Sequence, residues 1–227
     1  AMPEYPDLTI YVEALERRVL GRPLEGLRIA SPSLLKTVDP RPDEAVGRRI
    51  ERVHRLGKRI VFDLENGLHL ALHLMIAGRL HWKKRGVAIP RKRAHAAFDF
   101  PDGSLLLTEA STKKRAALHV LAGDEALAAL DAGGLEVFRA SEAEFRAALE
   151  RERHTLKRSL TDPHLFAGIG NAYSDEILHR ARLSPLKWTS RLTDDEIARL
   201  YDAIRTVLPA WADDLRREVG DGFPDKV

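Results

Sequence analysis

The sequence predicts an α+β protein of two domains. Three observations carry this: alternating, strand-type hydrophobicity fills the first half, helical periodicity fills the second, and a Gly133-Gly134 pair separates them. With 227 residues, 44% of them hydrophobic, the chain can bury two cores. We expect an N-terminal β-sandwich with a helix at its start over residues 1–125, and a helical domain over residues 135–227.

The elements follow in order. After Pro6, Asp7 can cap a helix in which Leu8, Tyr11, Val12, Leu15 and Val19 recur at helical spacing, ending near Gly21 and Pro23. From Arg52 the period changes. Ile60, Phe62 and Leu64 alternate, Asn66-Gly67 marks a tight turn, and the return strand places Leu68, Leu70, Leu72 and Leu74 on one face and His69, Ala71 and His73 on the other. Further strands fit residues 79–82, 96–100 and 104–108, the last two joined by Pro101-Asp102-Gly103. Helices fit residues 125–130, 155–160, 172–181 and 193–218, and Ser141 with Glu144 three residues on opens another through Arg151.

A formal charge of +3 with a pI near 9.2 leaves any attraction to a polyanion to local clusters. These are Lys83-Lys84-Arg85, Arg91-Lys92-Arg93 and Lys113-Lys114-Arg115, each of which also reads as a solvated loop face. Without cysteine there is neither a disulfide nor a cysteine-based zinc site. The apolar runs are short and interrupted, so no membrane span or leader is expected, and a cytoplasmic, nucleoid-associated setting follows. His69 and His73 share a strand face and His81 follows, but we expect no metal there, since no acidic residue or cysteine joins that face.

Four segments carry chemistry. Met2-Pro3-Glu4-Tyr5-Pro6-Asp7 puts a proline behind a removable methionine, and removal would expose a secondary amine. α-Amino groups titrate at about 7.7–8.0, so a useful fraction is nucleophilic near neutral pH. The same residues would also make a simple turn before a helix. Gly168-Ile169-Gly170-Asn171-Ala172-Tyr173-Ser174-Asp175-Glu176 frees the backbone for a close turn and sets Asn171 at a helix start, where it can meet a phosphate or cap the helix. The others are Arg55-Leu56-Gly57-Lys58-Arg59 and His73-Leu74-Met75-Ile76-Ala77-Gly78-Arg79-Leu80.

Together, in this order, the four segments resemble the formamidopyrimidine-DNA glycosylase and endonuclease VIII family, over nearly the whole chain. The resemblance implies a helix-two-turns-helix DNA-binding element in the second domain. It also implies base-excision repair: removal of oxidised or ring-opened bases, with abasic-site lyase activity. Residue by residue, it makes Pro3 the nucleophile on the sugar C1′ and Glu4 the acid that assists ring opening, with Lys58 engaging phosphates or the leaving base. Asn171, Lys157, His73, Ile76, Lys113 and Lys114 would contact DNA. The expected partner is double-stranded DNA with damaged bases or abasic sites, met by a monomer.

The chain departs from that pattern in three places. Thr108-Glu109-Ala110-Ser111-Thr112-Lys113-Lys114-Arg115 stands where the family carries Asp-x-Arg-Arg-Phe-Gly, and Ile76 stands for a methionine, so the wedge that fills the space of a flipped base differs. A weaker wedge favours unstacked lesions, abasic sites or single strands, with oxidised purines still open. No zinc finger follows Gly222-Phe223-Pro224, so no cofactor is implied unless the native protein continues into one. Ala1 ahead of Met2 reads as an added residue that would hold Pro3 in an amide. Rival readings are a noncatalytic lesion-sensing protein on the same fold and an RNA-binding protein.

Overall fold

The computed structural model describes residues 1–227. Helix α1 (Tyr5–Val19) leads into eight strands: β1 (Gly26–Ile29), β2 (Ile50–Leu56), β3 (Arg59–Leu64), β4 (Leu68–His73), β5 (Gly78–Lys83), β6 (Ala94–Phe100), β7 (Gly103–Glu109) and β8 (Ala117–Ala122). They form two antiparallel four-stranded sheets, β1-β6-β7-β5 and β2-β3-β4-β8. Helices α2 (Asp124–Ala129), α3 (Glu142–Glu150), α4 (Leu156–Leu160), α5 (Asn171–Ala181) and α6 (Asp194–Val219) complete the chain.

Helix α1 begins earlier than its apolar spacing suggests. Glu4, not Asp7, is the capping residue, and Asp7, three positions on, accepts a hydrogen bond from the Glu4 amide at 2.9 Å. Pro6 fits the first turn, where its missing N–H has no helical partner to lose. Leu8, Tyr11, Leu15 and Val19 face the core shared by the two sheets, alongside Phe62, Leu70, Leu72, Phe98, Leu105 and Leu107. The Asn66-Gly67 turn closes β3 onto β4 with Leu64 opposite Leu68, both central residues having positive φ. The alternation on β4 points its leucines into this core, yet its other face is covered too, leaving His69 and Ala71 buried. Strands β1 and β8 escaped the sequence reading, being short and flanked by loops without a turn signature.

The second core gathers Phe145, Leu156, Leu160, Phe166, Ile177, Leu200 and Ile204 from the helical half. Ser141, the cap expected from the sequence, accepts from the Glu144 amide at 3.1 Å, and Thr193, expected as the first helical residue, instead caps α6, accepting from the Glu196 amide at 3.2 Å. Between the cores, Gly134 lies so close to the turn before α5 that a Cβ there would stand 2.4 Å from the Pro163 carbonyl oxygen. The halves then join along α1. The Tyr5 amide donates to the Gly168 carbonyl at 2.8 Å, and Arg216 of α6 pairs with Glu13 at 2.7 Å. No helix is long and apolar enough to cross a membrane.

Candidate active site and nucleic-acid interface

Where α1 meets the N-terminus of α5, the chain start is trapped between the two halves. Pro3 and Glu4 are both buried. A cavity of about 470 Å³ is lined by Met2, Pro3, Glu4, Arg79, Tyr173 and Trp211. Behind it a larger groove, about 610 Å³, is lined by Met2, Lys58, Arg59, His73, Met75 and His164.

The Glu4 carboxylate occupies the anion position of the α5 N-terminus. It accepts from the amides of Gly170, Ala172 and Tyr173, the last two at 3.1 and 3.2 Å. Burial nevertheless outweighs these donors and nearby Lys58, and holds the carboxyl above its ordinary range. Lys58, in the tight turn between β2 and β3, shifts the other way: burial lowers its ammonium pKa, with Glu4 offsetting part of the effect. Both side chains reach the same glycine, since a Cβ on Gly170 would stand 2.8 Å from Cδ of Glu4 and 3.0 Å from Nζ of Lys58. The pair can therefore hold or move a proton beside Pro3.

His73 ends β4 on the groove side. Burial, reinforced by Arg59 and Lys58, pushes its pKa down to about 4, so the ring is neutral at pH 7. Nδ1 accepts from the Met75 amide at 3.0 Å, which places the proton on Nε2 and leaves a neutral donor. Asn171 is the first residue of α5 and exposed; Gly170 holds the capping position, so the helix-cap reading of Asn171 does not apply. Lys157 donates to the Asn171 carbonyl at 2.8 Å and to Asp175 at 2.6 Å, tying α4 to the start of α5.

At the far rim, Ile76 is 56% exposed at the tip of the β4–β5 loop, beside Met75 with its positive φ. Lys113 is exposed, whereas Lys114 is turned inward, donating to the carbonyls of Lys92 and Glu109. The structure thus brings Pro3, Glu4, Lys58 and the Asn171 end of α5 together, with His73 in the adjoining groove.

Three features escaped the sequence reading. Glu109, 1% exposed, accepts from the amides of Arg115 and Ala116 and pairs with His95 Nε2 at 2.6 Å, anchoring the Lys113 loop from below. Its signal lies in strand register, because an irregularity between Ala94 and Ala96 turns His95 inward. Tyr173 and Trp211 meet edge-on in the cavity wall, 5.8 Å between centroids. Asp63 corrects the expectation that no acidic residue joins the His69 face: its Oδ1 lies 2.6 Å from His69 and 3.0 Å from His54, and Asp124 approaches His69 at 3.1 Å. No three His, Asp or Glu side chains are placed to hold a metal ion, and without cysteine the residues do not fit a zinc finger.

Comparison with known proteins bears on this arrangement. Residues 2–115 match the formamidopyrimidine-DNA glycosylase N-terminal domain and residues 135–212 match the H2TH domain of the same enzymes. The chain belongs to the formamidopyrimidine-DNA glycosylase family. The formamidopyrimidine-DNA glycosylase of Heliobacterium modesticaldum is 33% identical over 100% of this chain and 83% of its own length. That of Chloroflexus aurantiacus is 35% identical over 91% of this chain and 75% of its own. A crystal structure of Lactococcus lactis Fpg with DNA containing an abasic site superposes with a TM-score of 0.84 at 26% identity, covering 92% of this chain and 79% of that one. Another, of the same protein with a Fapy-dG containing DNA, gives 0.84, again at 26% identity, with 92% and 80% covered. As a member of this glycosylase family, the chain is a DNA glycosylase of base-excision repair.

Proposed function

We propose that this glycosylase removes oxidised or ring-opened bases from double-stranded DNA and opens the abasic site through a Schiff base to Pro3. The observation that carries this reading is the burial of Pro3 and Glu4 in one cavity, with Lys58 reaching Glu4 from the other side. With a free amine, the Pro3 nitrogen lone pair attacks C1′, the bond to the base breaks, and the electron pair leaves with the base, which takes up the proton that the Pro3 nitrogen loses. Glu4, whose carboxyl pKa burial raises, passes a proton to the sugar oxygen as the ring opens, leaving an iminium between Pro3 and C1′. The neutral His73 Nε2–H and the exposed Asn171 carboxamide then serve as phosphate donors, and Lys157 fixes the latter's helix. Ile76 and Lys113 would face the gap in the duplex, and Lys114 would support their loop. We read it as a cytoplasmic, nucleoid-associated monomer, as expected from the sequence.

In the chain as it stands, the Pro3 nitrogen is in an amide with Met2, and Arg79 binds the Ala1 carbonyl at 2.8 Å. An amide nitrogen delocalises its lone pair and cannot form an iminium. Borohydride trapping on abasic DNA should therefore be strong for protein beginning at Pro3, much reduced for Pro3→Gly, and absent with Ala1-Met2 attached. Trapping by the extended form would move the nucleophile to a lysine such as Lys58. No trapping by any form would favour a noncatalytic, lesion-sensing protein.

A further inference from the structure

The cavity at Pro3 has an aromatic wall that none of the steps above uses. Trp211 sits on α6 and is 39% exposed, although its helix buries Leu208 and Ala212 on either side. The indole meets Tyr173 at an interplanar angle of 73°, which fixes its orientation. Tyr173 is itself held by its backbone amide on Glu4, 3.2 Å away. The wall is thus tied to the reacting groups through two successive contacts. Polar groups sit around it: Glu176 and Asp7 offer acceptors, and Arg79 offers donors.

A base turned out of a duplex loses stacking on both faces, and a site that acts on it must replace part of that loss. An exposed indole beside the sugar-reactive amine provides such a face. Resting on the Pro3 reading above, we infer that Trp211 is the stacking platform for the extruded base. The acidic and basic rim suits a base that presents both N–H donors and carbonyl acceptors, as a ring-opened purine does. Trp211 therefore sets the preference for a base-bearing lesion over a bare abasic sugar.

Binding alone tests this, in the full chain and without the chemical step. Affinities are measured for one duplex carrying a single formamidopyrimidine lesion, for the same duplex with a tetrahydrofuran abasic analogue, and for the undamaged duplex. Trp211→Ala should lower the ratio of lesion to abasic affinity about tenfold or more, and Trp211→Phe should recover most of it. In a Trp188→Phe background, which removes another exposed indole, lesion DNA should quench tryptophan emission more than abasic DNA. Equal losses on both damaged duplexes, or an unchanged ratio, would overturn the platform role. If the wild-type chain binds neither damaged duplex more tightly than the undamaged one, the glycosylase reading fails first and takes this inference with it.

Discussion

His73 shows how one residue links stability to the DNA groove. Unfolded, its ring titrates near the ordinary 6.5; folded, burial and the neighbouring Arg59 and Lys58 bring it to about 4. Between those values the unfolded chain takes up a proton that the folded chain refuses. Stability is therefore complete above pH 6.5 and declines as pH falls toward 4, by up to about 3 kcal/mol. His73→Gln should flatten much of that decline in denaturant midpoints taken across the interval, His119, also shifted down by burial, accounting for some of the remainder. A slope identical to wild type would show that His73 is not the titrating group. At this scale the site was legible where chemistry and motif coincide in a short stretch, as for Pro3, Glu4, Lys58 and Asn171. His95 and Glu109 were not, because neither residue has a neighbour in sequence that hints at the other.

At the scale of elements, the N-terminus of α5 does the organising, and sequence spacing announced it while hiding its partner. Two glycines pointed to a close turn, but nothing local said that a glutamate from the chain start would fill the amide cradle. Gly170 has an ordinary extended backbone, so replacing it tests space alone. Gly170→Ala must displace Glu4 or Lys58, and should cost about 1–3 kcal/mol in stability as overpacking, with a marked loss of borohydride trapping. Wild-type values in both would mean that the two side chains do not converge there. The β7–β8 connection depends on Glu109 in a comparable way. Glu109→Ala would strand the amides of Arg115 and Ala116 and leave His95 without its partner, a loss of about 3–5 kcal/mol in denaturant unfolding. A change under about 1 kcal/mol would mean that water replaces the carboxylate and the loop is not anchored from below.

Across the whole molecule, the two cores are separate clusters joined along α1, which packs on α6, and Tyr5 is one side chain that crosses from one to the other. It belongs to α1, yet its ring packs with the helical core, stacked on Phe138 at 4.7 Å. Arg55 of β2 lies over the same ring at 5.0 Å and pairs with Glu136 at 2.6 Å, so a sheet residue, a helix residue and a linker residue share one contact. Tyr5 is also flanked by Glu4 on the α5 amides, and its own amide is bound to Gly168. Removing the ring should therefore loosen the halves from each other while each keeps its own core. For Tyr5→Ala we expect a loss of about 2–4 kcal/mol, less than for a fully buried ring at the upper end of the usual range. Calorimetry should show a single cooperative transition in wild type divided into two, the helical half melting separately from the sandwich. Glu4 should lose part of its amide cradle in the same variant, so borohydride trapping should fall even below the first transition, at temperatures where both halves are folded. One intact transition, merely shifted downward, would show that α1 with α6 and the Glu13–Arg216 pair hold the halves together without Tyr5.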